Sequence, residues 1–154
     1  MAYADFAFYK NNYFGDVLTE ENAPKWLERA GDELDALTFG RLTFAFPTID
    51  EHVVKVKKSV CAVADALYWI DIQQRAFCAQ KAEDGSCHGA VASVSSGKES
   101  ISYVSGSNAV SSSAYAAAAA DVTVQAALIR GIAAAYLANI SDAQGINLLY
   151  AGGR

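Results

Sequence analysis

The chain has 154 residues, 53% of them hydrophobic and 19% charged, with a net charge of −5. That length suits one domain burying about two thirds of its unfolded surface, and that composition excludes a mostly disordered chain. The acidic balance argues against a general nucleic-acid binder, which collects Lys and Arg to displace counterions from phosphates. The basic cluster Lys55, Lys57 and Lys58 spreads over more than one side of a helix and reads as solvated surface.

The opening residues Met1 to Phe6 have no basic region followed by an apolar run, so no export signal is expected. The low-charge stretch Ile101 to Val122 carries Ser, Gly and Asn in its first half, unlike a membrane-spanning helix, and a soluble protein with no membrane partner is expected. Cys61, Cys78 and Cys87 form neither an even disulfide set nor a paired zinc pattern, and Cys87-His88 beside Cys78 lacks a fourth ligand. Reduced thiols, no metal and no cofactor are expected.

In chain order, residues 1–18 form an aromatic arm (Tyr3, Phe6, Phe8, Tyr9, Tyr13, Phe14) without a sustained period, packing onto something; Gly15 and Asp16 then make a turn. Helix one is predicted over 22–40, capped by Asn22, with Pro24 in its first turn and Gly40 as its stop. Ala23, Trp26, Leu27, Ala30, Leu34 and Leu37 recur at three- and four-residue spacing as its buried stripe. Glu28, Arg29, Asp32, Glu33 and Asp35 lie opposite, so the acidic members face solvent or a channel. Phe44 to Pro47 is a connector that Pro47 keeps from being helical.

Thr48-Ile49-Asp50-Glu51 has the pattern of a capping box and predicts helix two over 49–80, with Val53, Val56, Val60, Ala64, Leu67, Tyr68 and Phe77 on its apolar side. Its length of about 45 Å makes it the central spine. Glu83 to Ser86 ends it, and period-two alternation at Val91, Ser93, Ser95 and at Ile101, Tyr103, Ser105 predicts a short β-hairpin over 90–105, turning at Ser96-Gly97-Lys98. An isolated hairpin is marginal in water, so these strands lie on the helices or add to a neighbour's sheet. An Ala-rich helical region follows over 112–139, with Asp121 capping a fresh start inside it. The near absence of charge between Asp121 and Arg130 makes this the candidate subunit interface, through Ala127, Ile129 and Ala134. Residues 145–154 read as an extended docking tail built on Leu148, Leu149, Tyr150 and Arg154, the other reading being that Leu148 and Leu149 fold back onto their own helices. The fold class expected is mainly α: a small helical bundle with a long central helix, a short β-hairpin and an extended C-terminal tail.

The order of these segments carries a resemblance. A helix containing Trp26-Leu27-Glu28-Arg29-Ala30-Gly31-Asp32-Glu33-Leu34-Asp35 closes at Thr38-Phe39-Gly40-Arg41; a long helix, a Ser-rich hairpin, an Ala-rich helix and Leu148-Leu149-Tyr150 follow. Over nearly its whole length the chain resembles the head-tail connector (adaptor, head completion) proteins of long-tailed bacteriophages. The resemblance implies one connector domain over 1–154 and a homo-oligomeric ring of about twelve copies beneath the portal protein. It also implies a virion neck location after assembly in the bacterial host cytoplasm, a downstream stopper or tail-terminator partner, and DNA only as passing cargo. An enzyme is not expected: no nucleophile with a base, no carboxylate pair in a cleft and no phosphate loop is legible. The alternatives are a tail completion or tail-terminator ring and a small helical regulator of a host protein.

Overall fold

The computed structural model describes residues 2–78, 91–95, 100–103 and 113–150, with side chains placed for 2–75 and 113–150. The described chain is mainly helical: α1 (Phe6–Phe8, continued by a π-helical turn Tyr9–Tyr13), α2 (Ala23–Leu37), α3 (Arg41–Phe44), α4 (Asp50–Cys78), strands β1 (Val91–Ser95) and β2 (Ser100–Tyr103), α5 (Ala114–Ala120) and α6 (Val122–Leu137). Its contacts divide it into two compact units, residues 1–68 with 129–154, and residues 69–128.

The first unit holds the hydrophobic core. α2 contributes Trp26, Leu27, Ala30 and Leu34, the stripe its spacing predicts; α4 contributes Val56, Val60, Cys61, Val63 and Ala64; the second half of α6 contributes Ile129, Ala133 and Leu137. α4 buries residues on most of its circumference, as a central helix must. Asn22 occupies the cap position of α2, but its side chain turns back to accept from the Thr19 amide at 2.9 Å. α2 ends in a Schellman motif: Gly40 N–H reaches the Asp35 carbonyl at 2.8 Å and Phe39 N–H the Ala36 carbonyl at 3.3 Å. The left-handed residue that usually is Gly in this motif is Phe39, at φ +55°, followed by Gly40 at φ +74°.

Three sequence readings are corrected here. The arm is helical, not periodless: the π turn spaces its hydrogen bonds five residues apart and breaks the 3.6-residue pattern. Its aromatics pack on the chain's own core, with Tyr9 fully buried and Gly15 kept side-chain-free because a Cβ there would stand 2.1 Å from the Tyr9 ring. α4 begins one residue later than the capping box suggests, since Val53 N–H bonds to the Ile49 carbonyl at 3.0 Å and Ile49, not Thr48, takes the cap position. Asp50 and Glu51 then sit in the first turn, where the helix dipole favours negative charge.

The third correction concerns the tail, which is not extended as far as Tyr150. Gly145 at φ +79° reverses the chain, and Asp142 Oδ1 accepts from the amides of Gln144 and Ile146 at 2.8 and 2.9 Å. Leu148 N–H then bonds to the Ile140 carbonyl at 2.9 Å, which leaves the Leu148 side chain wholly inside the core. Arg41 clamps this turn from α3: Nη1 lies 3.5 Å from Asp142 Oδ2, and Nη2 donates to the Tyr150 carbonyl at 3.2 Å.

In the second unit, α4 carries an Arg75–Asp71 ion pair at 2.7 Å, one helical turn apart. β1 and β2 run antiparallel with Val94 opposite Ile101, and their register is irregular between Val91 and Ser93. The hairpin turn expected at 96–98, the end of helix two at 79–80 and its stop at 83–86 lie outside the described residues. The Ala-rich region is two helices, as Asp121 predicts: that residue is extended (φ −137°, ψ 121°), and its Oδ1 accepts from the Thr123 amide at 2.7 Å. These bonds to the anionic carboxylate hold it below its ordinary range.

Candidate functional site

The predicted interface residues of α6 separate. Ala127 is exposed and Ala134 half-buried, but Ile129 is 2% exposed and belongs to the chain's own core. Ile129, Ala133 and Leu137 recur every four residues and form the inward stripe of the helix; Ala127, two positions before Ile129, is turned away from it. Within the uncharged stretch that the sequence marks between Asp121 and Arg130, the residues it does not name are the most open: Val122 is 81% exposed and Val124 40%, with Ala126 and Ala127 exposed beside them.

The acidic residues of α2 also divide. Glu28 and Asp32 are exposed and Glu33 is half-buried, whereas Asp35 is drawn inward: its Oδ1 accepts from the Tyr3 hydroxyl at 2.6 Å and from Thr43 Oγ1 at 3.1 Å. Asp35 therefore fastens the N-terminus and α3 to α2, and a solvent or channel face fits only the other three. Burial beside this carboxylate pushes the Tyr3 phenol up to about 12.

Among the docking-tail residues, Leu148 is buried, Leu149 packs against the core, Tyr150 is exposed, and Arg154 lies outside the described residues. Leu148 is thus withdrawn from any docking role, because a side chain enclosed in its own core has no surface to offer. Two other exposed aromatics lie on segments to which the sequence reading gives no docking role. Phe44 is 88% exposed at the end of α3, with its ring edge over Gly40, and Phe39 is 63% exposed despite its left-handed backbone. The usable signal is local: Phe39 stands where a helix-ending Gly is the norm, and Phe44 precedes a proline connector.

A polar node is also missed. The Tyr9 hydroxyl donates to Asp65 Oδ1 at 2.7 Å and accepts from the amides of Val17 and Leu18, both at 3.0 Å. Burial pushes the Asp65 carboxyl above its ordinary value, Tyr9 up to about 12 and the Cys61 thiol up to about 12. A thiol raised this far is inert as a nucleophile at neutral pH.

A shallow depression at the start of α4 is lined by Asp50, Glu51, Val54 and Lys55, all from one helix, so no second element converges on it. Among the described residues, no group of three His, Cys, Asp or Glu side chains could hold a metal ion, and no helix is long and apolar enough to cross a membrane. Neither family models, nor curated proteins, nor solved structures include a match to this chain.

Proposed function

We propose that this chain is a non-enzymatic structural protein that builds a homo-oligomeric ring, the head-tail connector of a long-tailed bacteriophage. The ring holds about twelve copies, sits in the virion neck between the portal and a stopper or tail-terminator protein, and passes DNA without reading it. Assembly precedes release, in the bacterial host cytoplasm. The observation that carries this reading is the start of α6, uncharged from Val122 to Ile129 and exposed at Val122, Val124, Ala126 and Ala127. A helix apolar all round belongs in an interior. In a lone chain its first turns are uncovered, and a neighbouring copy supplies the cover.

The finer architecture follows the same logic. β1 and β2, marginal as an isolated pair, add to a neighbour's sheet, and the end of the chain from Tyr150 to Arg154 meets the portal. Mass under native conditions, with and without purified portal, tests the proposal. A ring formed on portal supports the connector, a ring formed only on tail tubes supports a tail terminator, and a monomer or dimer that captures a host protein supports a regulator. Ala127→Glu should abolish the ring while the monomer stays folded. A variant that still assembles normally removes α6 from the interface.

A further inference from the structure

The start of α6 has an order of groups along it. Asp121, exposed, caps the helix; Val124, Ala127 and Gly131 follow at three- and four-residue spacing on its exposed side, and Arg130, exposed beside Gly131, is the first charge after Asp121. Asp121 and Arg130 stand about 13 Å apart at the rise of a helix. A Gly in a helix interior weakens it relative to Ala, and nothing in the chain demands this one, because a Cβ at Gly131 would meet no atom within 4 Å. Its use is to let a surface from outside come close to the helix axis.

The start of α4 repeats that order. Asp50 and Glu51 stand in its first turn, exposed Val54 follows one turn on, and Lys55 and Lys58 come next, so that Asp50 and Lys58 are about 12 Å apart. Glu51, Val54, Lys55 and Lys58 share one side of the helix by their spacing. The depression formed there by Asp50, Glu51, Val54 and Lys55 has a volume of about 330 Å³ and mainly apolar walls, and Ile49, exposed at the cap position, precedes it. Among the described residues, no ion pair engages Asp50, Glu51, Lys55, Lys58, Asp121 or Arg130.

Two helices with the same order of acid, apolar residue and base match charge to charge only when laid antiparallel. We propose that the start of α6 of one copy packs antiparallel on the start of α4 of the next copy, with Val124 and Ala127 over Val54, Arg130 against Asp50 and Glu51, and Asp121 against Lys58. Gly131 admits the neighbour's helix. A parallel arrangement would set Asp121 against Asp50 and Glu51, and Arg130 against Lys58, and like charges in contact exclude it. An α6–α6 pair would also match its charges, but it closes as a two-fold dimer and leaves the apolar start of α4 uncovered. Joining two different patches makes the contact head-to-tail, the kind that closes rings. This inference rests on the ring reading and adds to it the surface that covers α6.

Native mass of the full chain over a range of concentrations, alone and with purified portal, tests it. Arg130→Glu and Glu51→Lys should each raise the concentration needed for assembly several-fold, and the two together should restore it. Gly131→Leu should keep the monomer's melting temperature, since the space beside Gly131 is open, and block assembly. A chain that stays monomeric in both conditions removes the ring reading and this contact with it. A ring that ignores Glu51→Lys while Arg130→Glu weakens it points to α6 pairing with itself and overturns this contact alone. A double variant no better than either single one, or a Gly131→Leu chain that assembles normally, does the same and leaves the ring reading standing.

Discussion

Replacing Tyr9 by Phe deletes one oxygen and leaves the ring in place, so no cavity term enters. The loss is of three hydrogen bonds: a donation to Asp65 Oδ1 at 2.7 Å and acceptances from Val17 and Leu18 at 3.0 Å. A bond to a charged group contributes about 1.5–3 kcal/mol, and a buried donor left unpaired costs about 1–3 kcal/mol. The Leu18 amide is buried at this bond, and the Val17 amide is partly so. Asp65 recovers part of the loss by taking a proton, because its carboxyl already titrates above its ordinary value. The expected net destabilisation is about 3–4 kcal/mol. Urea unfolding at neutral pH measures it as a lowered midpoint at unchanged slope, and thermal unfolding as a drop on the order of 10 °C for a chain this size. A loss under about 1 kcal/mol would refute the reasoning, since it would mean water replaces the phenol oxygen at no cost.

Arg41→Ala should cost about 2–3 kcal/mol in thermal unfolding, less than a fully buried pair because Arg41 is partly exposed, by leaving the buried Asp142 carboxylate unpaired. Phe39→Gly should leave stability unchanged or raise it by up to about 1 kcal/mol, because it relieves a left-handed backbone at an exposed side chain; a clear loss would show that the ring packs in the monomer. Ile129→Ala should destabilise the monomer by about 2–4 kcal/mol, whereas Ala127→Glu should shift its midpoint by less than about 0.5 kcal/mol, a contrast that separates the core side of α6 from its exposed side. In alkali, the folded state should weaken as pH climbs from about 9: the unfolded phenols and thiol ionise at 10.0 and 9.0, while Tyr3, Tyr9 and Cys61 are each held to about 12 in the fold. Phenolate absorbance followed alongside circular dichroism checks that the tyrosines ionise with unfolding and not before it.

The helices were legible where a single physical signal dominates. The stripe from Trp26 to Leu34, the stop at Gly40 and the cap at Asp121 are local features, each set by residues within a turn or two. Legibility failed wherever the deciding partner was distant in sequence. Asp35 reads as one more charge on an exposed face until Tyr3, 32 residues away, claims it. Asp65 sits among apolar neighbours with nothing nearby to mark it as the acceptor of Tyr9. In α6 the reason differs. Residues on every side of the helix are apolar, so periodicity cannot tell Ile129, which faces inward, from Ala127, which does not. Leu148 shows the converse, since a flexible apolar end suggests docking elsewhere until Gly145 and Asp142 turn it home.

The first unit is discontinuous: its core joins residues 1–68 to 129–154, with 60 residues between. Unit one is therefore a host and residues 69–128 its guest, entered along α4 and left along α6, and the host closes only when its two segments meet. For a flexible spacer the cost of closure grows only with the logarithm of length, so doubling the guest would cost the host about 0.6 kcal/mol. Evolution can thus lengthen, shorten or rewrite the guest, while the host keeps its core. The same arithmetic delays the host in time: Ile129, Leu137 and Leu148 are among its buried residues, so its core stays open at one side until the chain has been made past the guest.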